Sequence, residues 1–342
     1  MKADIKQDEL LLDVRGLKKH FPVQSGALRR VTGTVKAVDG LTFTVRKGET
    51  MGLVGESGCG KTTAGRTIMR LMPPTGGEIR FNDQSKGWLN LETLGRKEMM
   101  PIRPNMQIIF QDPFSSLNPR MTVERIVGEP LVINKTVPKD EIQDRVAMLL
   151  RRVGLRAEYM SRYPHAFSGG QRQRLGIARA LALNPQMIIC DEPVSALDVS
   201  IQAQVLNLLE DLQAERNLAY IFIAHDLSVV EHISDRVAVM YVGKLAEQAA
   251  TEELYYHPKH PYTEALMAAV PKPNPHRRER PIPLPGEVAN PANPPSGCYF
   301  HPRCRYCKDI CKQETPELRE VSPGHTVACH LAEELNLRGV MG

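Results

Sequence analysis

The stretch GESGCGKTT, which runs from Gly55 to Thr63, constrains the fold of this chain more than any other segment. It fits the pattern G-x-x-x-x-G-K-[ST], follows the apolar run TMGLVG, and opens a segment with helical character. Glycines let backbone N–H groups turn toward a phosphate, and a helix N-terminus adds a favourable potential for the anion. The sequence therefore predicts a nucleotide-binding loop, in which Lys61 reaches the β and γ phosphates and Thr62 ligates Mg²⁺. The predicted nucleotide contacts of this loop are Gly55, Glu56, Ser57, Gly58, Cys59, Gly60, Lys61, Thr62 and Thr63.

The run MIICDEP places two adjacent carboxylates at the end of an apolar strand. Two such groups are costly to bury without a cation, which favours a Mg²⁺ site over a purely structural pair. Asp191 is predicted to hold Mg²⁺ through water beside the phosphate loop. Glu192 is predicted to polarise the attacking water as a general base.

Apolar runs alternate with helix-like segments through the first three quarters of the chain. TMGLVG, QMIICDE and AYIFIAHD are short apolar runs of the kind found in buried strands of α/β sheets. The segment QRQRLGIARALAL spaces its apolar residues at helical intervals and carries its arginines on the other face. The pattern predicts an α/β fold with a helix over residues 171–183.

The N-terminus mixes charges of both signs and lacks the apolar core of a signal peptide. The longest apolar stretches, such as LAYIFIA, are far too short to cross a bilayer. We therefore expect a cytosolic chain that reaches a membrane only through a partner. The net charge of +5 is too small by itself to indicate a nucleic-acid partner.

The composition changes after about residue 270, where PKPNPHRRERPIPLPGEVANPANPP is rich in proline and extended. Such a segment builds no core of its own. The sequence therefore predicts three parts, namely an α/β body over residues 1–265, a proline-rich connector over 266–297 and a cysteine-rich tail over 298–342.

Five of the seven cysteines lie in the tail, with the spacing C-x5-C-x2-C-x3-C-x17-C. In a reducing cytosol such clustering favours a metal site over disulfides, and unmetallated thiols are the plain alternative. Structural zinc sites usually have two C-x2-C pairs, whereas only Cys304 and Cys307 form one here. Irregular sets of four thiolates also suit iron–sulfur clusters, so the spacing alone leaves both metals open.

The segment FSGGQRQRLGIARAL lies between the two phosphate motifs and resembles the signature segment of ATP-binding cassette (ABC) ATPases. SALD resembles the D-loop of that family, Gln111 in IIFQDP its Q-loop glutamine, and His225 in IFIAHD its switch histidine. The resemblance implies a RecA-like P-loop core with a helical subdomain at about residues 112–180. It also implies a head-to-tail pair of ATPase subunits that enclose two ATP molecules between them.

In such a pair, the signature segment of one subunit contacts the γ-phosphate that the other subunit binds. SGGQ leads into a helix N-terminus, which is a second anion cradle in a chain that already has a phosphate loop. The resemblance implies that His225 holds the γ-phosphate and the water, and that Gln111 senses Mg²⁺ and passes closure to a neighbouring subunit. The further nucleotide contacts that it implies are Ser168, Gly169, Gly170, Gln171 and Asp198.

The family also places an aromatic residue before the phosphate loop, where its ring stacks on the adenine. Phe21 in LKKHFPV is the candidate. The stretch QSGALRRVTGT separates it from VKAVDGLTF, so the spacing departs from the compact pattern. A core position for Phe21 is the other interpretation, and the sequence does not decide between the two.

FQDPFSSLNPRMTV, ELYYHPKHPYTEALMAAVPKPNP and the tail from GCYFHPRC to VACH look more narrowly like the importers of oligopeptides, dipeptides or nickel. This resemblance implies a motor subunit at the cytoplasmic face of the inner membrane. The implied partners are two transmembrane permeases, a second similar ATPase in a heterodimer, and an extracytoplasmic peptide-binding protein. It also implies a [4Fe–4S] cluster, with Zn²⁺ as the alternative and Cys307 as an extra thiol. The matching cluster ligands are Cys298, Cys304, Cys311 and Cys329.

A soluble cassette ATPase that acts on DNA or ribosomes is the first alternative to an importer motor. Such proteins often carry tandem cassettes or a long coiled coil, but neither a second phosphate loop nor sustained heptads occurs between Lys61 and Ser168. A zinc module that binds nucleic acid is the second alternative, and the basic run RRER is too short to support it. We therefore expect no nucleic acid among the partners, while peptides and nickel stay open as substrates.

Overall fold

The computed structural model describes residues 9–25, 30–269 and 283–340, and the strands within them form two sheets. The strands are β1 (Leu10–Ser25), β2 (Arg30–Arg46), β3 (Thr50–Val54), β4 (Gly76–Asp83), β5 (Gly87–Asn90), β6 (Met106–Ile109), β7 (Met187–Asp191), β8 (Ala219–Ile223), β9 (Arg236–Tyr241), β10 (Lys244–Ala250), β11 (Arg319–Ser322) and β12 (His325–Val327). The α-helices are α1 (Lys61–Ile68), α2 (Arg96–Met99), α3 (Val123–Asn134), α4 (Ile142–Arg152), α5 (Gly169–Leu181), α6 (Val199–Arg216), α7 (Leu227–Ile233), α8 (Thr251–Tyr256), α9 (Pro261–Ala268) and α10 (Asp309–Gln313).

The larger sheet has the strand order β11-β12-β10-β9-β3-β8-β7-β6, and its centre is parallel. Strands β3, β7 and β8 are the three predicted apolar runs, and all of their residues are buried. Ile188 and Phe222 belong to one apolar core, whereas Ile189 and Ile221 belong to a second core. Successive strand residues point to opposite faces, so each face of the sheet has its own core. The predicted α/β fold is confirmed.

The smaller sheet is antiparallel, with the order β2-β1-β4-β5. Its strands β1 and β2 form a long hairpin, and a turn at residues 47–48 follows β2. Val38 and Leu41 of β2 share a core with Leu53 of β3. This packing brings the hairpin beside the loop that follows β3.

Helices α3, α4 and α5 lie between β6 and β7 in the chain and share one core with the larger sheet. Helix α5 confirms the predicted helical segment and begins two residues before it. The arginines of α5 that lie away from its apolar positions are not all free in solvent. Arg172 is buried and its Nε donates to the Pro164 carbonyl oxygen at 2.8 Å, while Arg179 Nη1 donates to the Ser116 carbonyl oxygen at 2.7 Å. Neighbouring loops therefore satisfy these cations inside the protein.

The cysteine-rich tail extends the larger sheet. Strand β12 pairs with β10 in antiparallel register, and β11 pairs with β12. The tail also has a small apolar cluster of its own, whose buried members are Val327, Cys329, Leu331 and Ala332. Residues 1–8 of the predicted body, residues 26–29 of the stretch after Phe21, residues 270–282 of the connector and residues 341–342 lie outside the described residues. No helix in the described part of the chain is long and apolar enough to span a bilayer.

Candidate active site

The phosphate loop connects β3 to α1, and its lysine turns back onto the loop. Lys61 is buried, and its Nζ donates to the carbonyl oxygens of Gly55 at 2.6 Å and Glu56 at 3.1 Å. Gly60 has a φ of 108°, and a Cβ at this position would overlap the Ala37 carbonyl oxygen. Glycine therefore lets the hairpin of β1 and β2 approach the loop.

Asp191 ends strand β7 and lies against the start of α1. Thr62 Oγ1 donates to Asp191 Oδ1 at 2.8 Å, and Asp191 Oδ2 is buried without a hydrogen bond from any residue that the structure describes. Arg66 Nη2 is 3.8 Å from Oδ2, which is too long for a hydrogen bond. Burial raises the pKa of Asp191, and the Thr62 hydrogen bond and the Arg66 charge oppose this shift. A buried carboxylate oxygen without a donor, beside a threonine hydroxyl, fits the oxygen ligands that Mg²⁺ prefers.

Glu192 follows β7 and contacts two other predicted site residues. Gln111 Nε2 donates to Glu192 Oε2 at 2.8 Å, and His225 Nδ1 lies 3.2 Å from the same oxygen. The φ of Glu192 is 48°, a left-handed conformation that costs energy for a residue with a side chain. Its amide donates to the Ile223 carbonyl oxygen at 2.9 Å, which anchors this turn to β8. A carboxylate flanked by an amide and an imidazole can orient a water molecule and accept its proton.

A cleft of about 250 Å³ lies over the phosphate loop. The predicted residues that line it are Ser57, Gly58, Gly60, Lys61, Thr62, Thr63, Gln111 and Glu192. Five other predicted residues of the same region are not part of this lining, namely Gly55, Glu56, Cys59, Asp191 and His225. Cys59 is buried, and burial raises the pKa of its thiol. The phosphate loop and Glu192 therefore face one common space.

Three residues of the cleft were not predicted, namely Val35, Ala37 and Pro291. Val35 and Ala37 belong to β2, whereas Pro291 belongs to the connector before the tail. The amide of Lys36 donates to the Pro291 carbonyl oxygen at 3.0 Å, which fixes the connector against the hairpin. Nothing in the run ANPANPP indicates this contact, because it depends on a pairing between segments that are distant in sequence.

Phe21 is half-buried in β1 and lies directly opposite Val35 of β2. Residues directly opposite in an antiparallel pair point to the same face, and Val35 lines the cleft. Lys19 Nζ lies 4.9 Å from the centre of the Phe21 ring. Phe21 belongs to neither of the two large apolar cores of the described residues. Its position favours the ligand side over the core, and stacking on adenine stays a prediction.

The signature segment lies at the start of α5, where Ser168 and Gln171 cap the helix. The Gln171 amide donates to Ser168 Oγ at 3.3 Å, and the Ser168 amide donates to Gln171 Oε1 at 3.1 Å. The pattern S-x-x-Q that signals this capping box is visible in the sequence. A Cβ on Gly170 would overlap Ile201, whereas a Cβ on Gly169 would make only an ordinary contact. Packing therefore requires a glycine at position 170 but not at position 169.

Asp198 caps α6 in a similar way. Its Oδ1 accepts a hydrogen bond from the Ile201 amide at 3.0 Å and one from Ser200 Oγ at 2.9 Å. The hydrogen bond from the Ile201 amide is the main cause that lowers the pKa of Asp198. Val199, the next residue, is 81% exposed. Neither Asp198 nor the signature residues line the phosphate cleft of the same chain.

Known families match the two parts of the chain that carry these features. The model of the ABC transporter family matches residues 38–195, and the model of the oligopeptide/dipeptide transporter C-terminal region matches residues 246–311. The chain is 56% identical over 326 residues to the oligopeptide transport ATP-binding protein AppF of Bacillus subtilis, covering 94% of this chain and 98% of that protein. It is 47% identical over 329 residues to the dipeptide transport ATP-binding protein DppF of Haemophilus influenzae, covering 96% and 99%. This chain belongs to the family of oligopeptide and dipeptide ABC transporter ATP-binding proteins.

Solved ABC structures share the fold of this family member. A dimeric post-hydrolysis state of the ATP-binding cassette MJ0796, bound to ADP and Pi, is 26% identical with a TM-score of 0.62 and covers 70% of this chain and 99% of its own. CbiO1 of Clostridium perfringens, part of the ABC transporter complex cbiONQ, is 28% identical with a TM-score of 0.60 and covers 72% and 91%. The ABC ATPase fold of the chain is therefore shown.

The tail cysteines of this transporter ATPase are free thiols in close electrostatic contact. Cys311 and Cys329 are buried, whereas Cys298, Cys304 and Cys307 are half-buried. Burial raises the pKa of Cys298 to about 11 and of Cys304 to about 12, and in both cases Cys329 and Cys311 add to the shift. The Cys298 amide donates to the Cys311 carbonyl oxygen at 2.8 Å. Within the described residues, no three His, Cys, Asp or Glu side chains are grouped so that they could hold one metal ion.

Proposed function

We propose that this chain binds and hydrolyses ATP as the motor subunit of an importer for dipeptides or oligopeptides. The observation that carries the proposal is the contact of Glu192 with both Gln111 and His225 at the phosphate cleft. A general base, an amide and an imidazole around one water position are what hydrolysis of a phosphoanhydride needs. The importer assignment is supported by the family of the chain and by its oligopeptide/dipeptide transporter C-terminal region.

Six residues in and beside the cleft have a proposed part in the reaction. Lys61 leaves the carbonyl groups of its own loop and binds the β and γ phosphates. Thr62 and Asp191 would hold Mg²⁺, which would supply positive charge beside the phosphates. Glu192 accepts the proton of the attacking water, and His225 holds that water against the γ-phosphate. Gln111 leaves Glu192 when the nucleotide and Mg²⁺ are bound.

The signature segment is proposed to serve the nucleotide of a second ATPase subunit. Ser168 is exposed, and Gly169 is half-buried although packing does not require a glycine there. The N-terminus of α5 offers backbone N–H groups and a favourable potential to an anion from outside the chain. Val199 is the most exposed large apolar residue of the described chain and stands beside Asp198, where the ABC resemblance predicts the partner. A heterodimer with a similar ATPase is the proposed pair.

The permeases are proposed to contact the surface that follows Gln111. Phe114 lies only three residues after Gln111 and is 62% exposed. The central carbon of the Arg172 guanidinium lies 3.8 Å from the centre of the Phe114 ring. Aromatic residues and arginine are enriched at interfaces between proteins. This arrangement would let the nucleotide site pass closure to two transmembrane permeases at the cytoplasmic face of the inner membrane. An extracytoplasmic binding protein would deliver the peptide to them.

Pairing is tested with Gly169→Ala in a Glu192→Gln background. The added methyl group has room in this chain, because its nearest neighbour is Leu197 Cδ2 at 3.5 Å. We expect an unchanged melting temperature, unchanged ATP binding by the phosphate loop, and loss of ATP-driven pairing with the partner ATPase in analytical ultracentrifugation. Pairing that survives this substitution would mean that Gly169 does not contact the partner's phosphate.

Transport is tested by reconstituting the chain with its permeases and binding protein in vesicles. Uptake of labelled dipeptides, oligopeptides and Ni²⁺ is measured with ATP on the side of the membrane that carries the ATPase, and then with ATP on the opposite side. We expect ATP-dependent uptake of a peptide and none with Lys61→Ala. Uptake of Ni²⁺ without any peptide would replace the peptide assignment, and a chain that recovers ribosomes or DNA instead of permeases would overturn the importer assignment.

The tail cysteines are proposed to bind a [4Fe–4S] cluster, with Zn²⁺ as the alternative. Cys298, Cys304, Cys311 and Cys329 interact electrostatically, and such a group of thiols becomes charged when a metal replaces the protons. A single zinc ion draws its four sulfur ligands to about 2.3 Å, whereas the ligands of a four-iron cluster stay farther apart. The proposal rests on the spacing of the cysteines and on the family resemblance, since no three metal ligands are grouped around one ion in the described residues.

The cluster is tested by metal analysis and visible absorption after anaerobic purification. We expect iron and sulfide in a brown protein, and loss of both in Cys304→Ser. Cys307→Ser is the matched control, because Cys307 lies in the same turn and interacts mainly with Cys311 and the surrounding charges. Colourless protein with stoichiometric zinc would select the alternative, and protein without either metal would leave reduced thiols.

A further inference from the structure

The tail reaches the phosphate loop through one arginine. Arg303 Nη1 donates to Glu56 Oε2 at 2.7 Å, and Arg303 Nη2 donates to Glu56 Oε1 at 3.0 Å. Arg303 is only 7% exposed, and Glu56 is the second residue of the phosphate loop. A two-pronged contact between a guanidinium and a carboxylate fixes the direction of both groups as well as their distance. The loop is therefore held from outside the body.

The backbone of Glu56 has a second anchor that also involves the tail. The Glu56 amide donates to the hydroxyl of Tyr262 at 2.9 Å, and Tyr262 is fully buried. The ring of Phe300, three residues before Arg303, packs against the ring of Tyr262 at 5.4 Å between centres. The side chain and the amide of Glu56 thus both depend on the turn at residues 300–303.

Glu56 in turn contacts the catalytic lysine. Its carbonyl oxygen accepts a hydrogen bond from Lys61 Nζ at 3.1 Å, and it also accepts one from the Cys59 amide at 3.2 Å. The position of Glu56 therefore sets the shape of the loop that must receive the phosphates. Arg303 precedes Cys304 in the chain, so the fold of the cysteine-rich turn decides where the guanidinium lies.

Two further contacts dock the tail without touching the phosphate loop. His325 Nε2 lies 2.6 Å from Glu247 Oε1, and both side chains are buried. Arg305 Nη2 donates to Glu264 Oε2 at 2.9 Å, and Glu264 also accepts a hydrogen bond from the Arg338 amide. The contact of Arg303 with Glu56 is therefore not needed to keep the tail in place, and its effect on the loop can be measured separately.

We propose that Arg303 is a positioning residue for the phosphate loop, through which the cysteine-rich tail sets the nucleotide affinity of the ATPase. The inference rests on the proposed ATPase function and adds a residue to it. When Arg303 is absent, Glu56 loses its partner and the loop samples conformations that cannot bind the phosphates. Binding of nucleotide then has to restore the loop, which weakens the affinity.

The test uses the full chain and equilibrium titration with MgADP, which needs no hydrolysis. Arg303→Ala is expected to raise the Kd about tenfold, the equivalent of one charge-assisted hydrogen-bonded contact. Arg303→Lys keeps the charge but cannot form the two parallel hydrogen bonds to the Glu56 carboxylate, so we expect an intermediate Kd. The matched control is Arg305→Ala, which removes a tail arginine from the buried Glu264 and leaves the phosphate loop intact. It is expected to lower the melting temperature without changing the Kd.

A second measurement separates positioning from a purely structural effect. In steady-state hydrolysis, the KM of Arg303→Ala for ATP is expected to rise with the Kd, while kcat at saturating ATP is retained. Equal Kd values for the wild type, Arg303→Ala and Arg303→Lys would overturn the inference and leave the proposed ATPase function standing. Equal increases for Arg303→Ala and Arg305→Ala would also overturn it, because any loosening of the tail would then have the same effect. A wild type that binds no nucleotide would overturn both proposals.

Discussion

The body and the tail of this ATPase are stabilised in different ways. In the body, the central strands bury apolar side chains in one large core on each face of the sheet. In the tail, the apolar cluster has only four buried members, and two strands are too short to be stable alone. The tail is instead held to the body by the pairing of β12 with β10, by Phe300 in a core of the body, and by contacts with body carboxylates that include Glu247 and Glu264.

This difference decides what each region can do. A sheet with two packed faces can hold polar groups at its strand ends and keep a strained turn such as that of Glu192. A tail attached by charged and hydrogen-bonded contacts responds to pH, to ligands on its cysteines and to the loss of single partners. The body therefore carries out the chemistry, and the tail adjusts how the body binds its substrate.

The largest expected effect concerns the body alone. Glu192→Gln removes the proposed base and keeps the shape of the side chain, so ATP hydrolysis should fall by about 10² to 10⁴-fold. Nucleotide binding should be retained, because Lys61, Thr62 and Asp191 are unchanged. Steady-state phosphate release and nucleotide titration measure the two properties.

The control for this substitution lies in the tail. Lys308→Ala removes an exposed ion pair with Glu334 and should leave hydrolysis unchanged. Normal turnover in Glu192→Gln would contradict the role of Glu192 and would remove the proposed chemistry from this end of β7.

The second prediction concerns Glu247, a fully buried carboxylate of the body that contacts His325 of the tail. Glu247 is fully buried and accepts hydrogen bonds from the amides of Lys259 and His260 in addition to its contact with His325. Glu247→Ala leaves all three partners without an acceptor and should lower the free energy of unfolding by about 3 to 5 kcal/mol. Urea unfolding measures the loss, and limited proteolysis should show early cleavage of the tail.

Glu247→Gln is the conservative control, because its side-chain oxygen can still accept from one partner. It should cost clearly less than Glu247→Ala. If both variants keep the stability of the wild type, the buried carboxylates do not hold the tail, and the comparison between the two regions is wrong.

The third prediction is a pH dependence of the free energy of unfolding, caused by a histidine at the contact between the body and the tail. His260 is buried against Phe300 of the tail, and burial lowers the pKa of its imidazole to about 4. The unfolded chain takes up this proton near pH 6.5. The contribution of neutral His260 to the free energy of unfolding is therefore complete above pH 6.5, and it is lost as the pH falls from 6.5 toward 4. Between pH 7.5 and 5, the free energy of unfolding should fall by about 2 kcal/mol because of this group.

Urea unfolding at several pH values measures this dependence, and His260→Asn is its control. Asparagine keeps an acceptor for the Tyr262 amide, which His260 Nδ1 binds at 3.0 Å, but it does not titrate. The variant should lose most of the extra pH dependence between pH 6.5 and 5. A parallel curve for the wild type and the variant would mean that burial does not lower the pKa of His260 in the folded protein.

The two regions also differ in how far the sequence predicts them. The apolar runs of β3, β7 and β8 and the helix α5 are local patterns, and the structure confirms them. The meeting of Gln111 and His225 at Glu192 follows from the ABC resemblance, since no local pattern reveals which strand ends are neighbours. Propensity and periodicity act over one turn or one strand, and they determine elements more firmly than contacts.

The missed features are contacts between distant segments. Arg303 and Glu56 are separated by 247 residues, and neither residue type indicates the other. The arginines of α5 occupy the polar positions of a regular helix, but Arg172 and Arg179 reach carbonyl oxygens of loops that the pattern does not show. Strand β12 is only three residues long, and it is stable as a strand because β10 offers an edge to it. Each of these results is decided by tertiary contacts.

The smallest expected effect is the difference in stability loss between the same valine-to-alanine substitution in a large core of the body and in the tail cluster. Val239 of β9 and Val327 of β12 are both fully buried, and both lie opposite Glu247 across β10. Val239 belongs to a large core, whereas Val327 belongs to the cluster of four. A cavity in a large core cannot collapse, while a small cluster at the edge of a sheet can relax around the missing methyl groups. Val239→Ala should therefore cost about 2 to 3 kcal/mol and Val327→Ala about 1 kcal/mol in urea unfolding. Equal costs would show that the tail is packed as firmly as the body, and its reliance on buried carboxylates would then need another explanation.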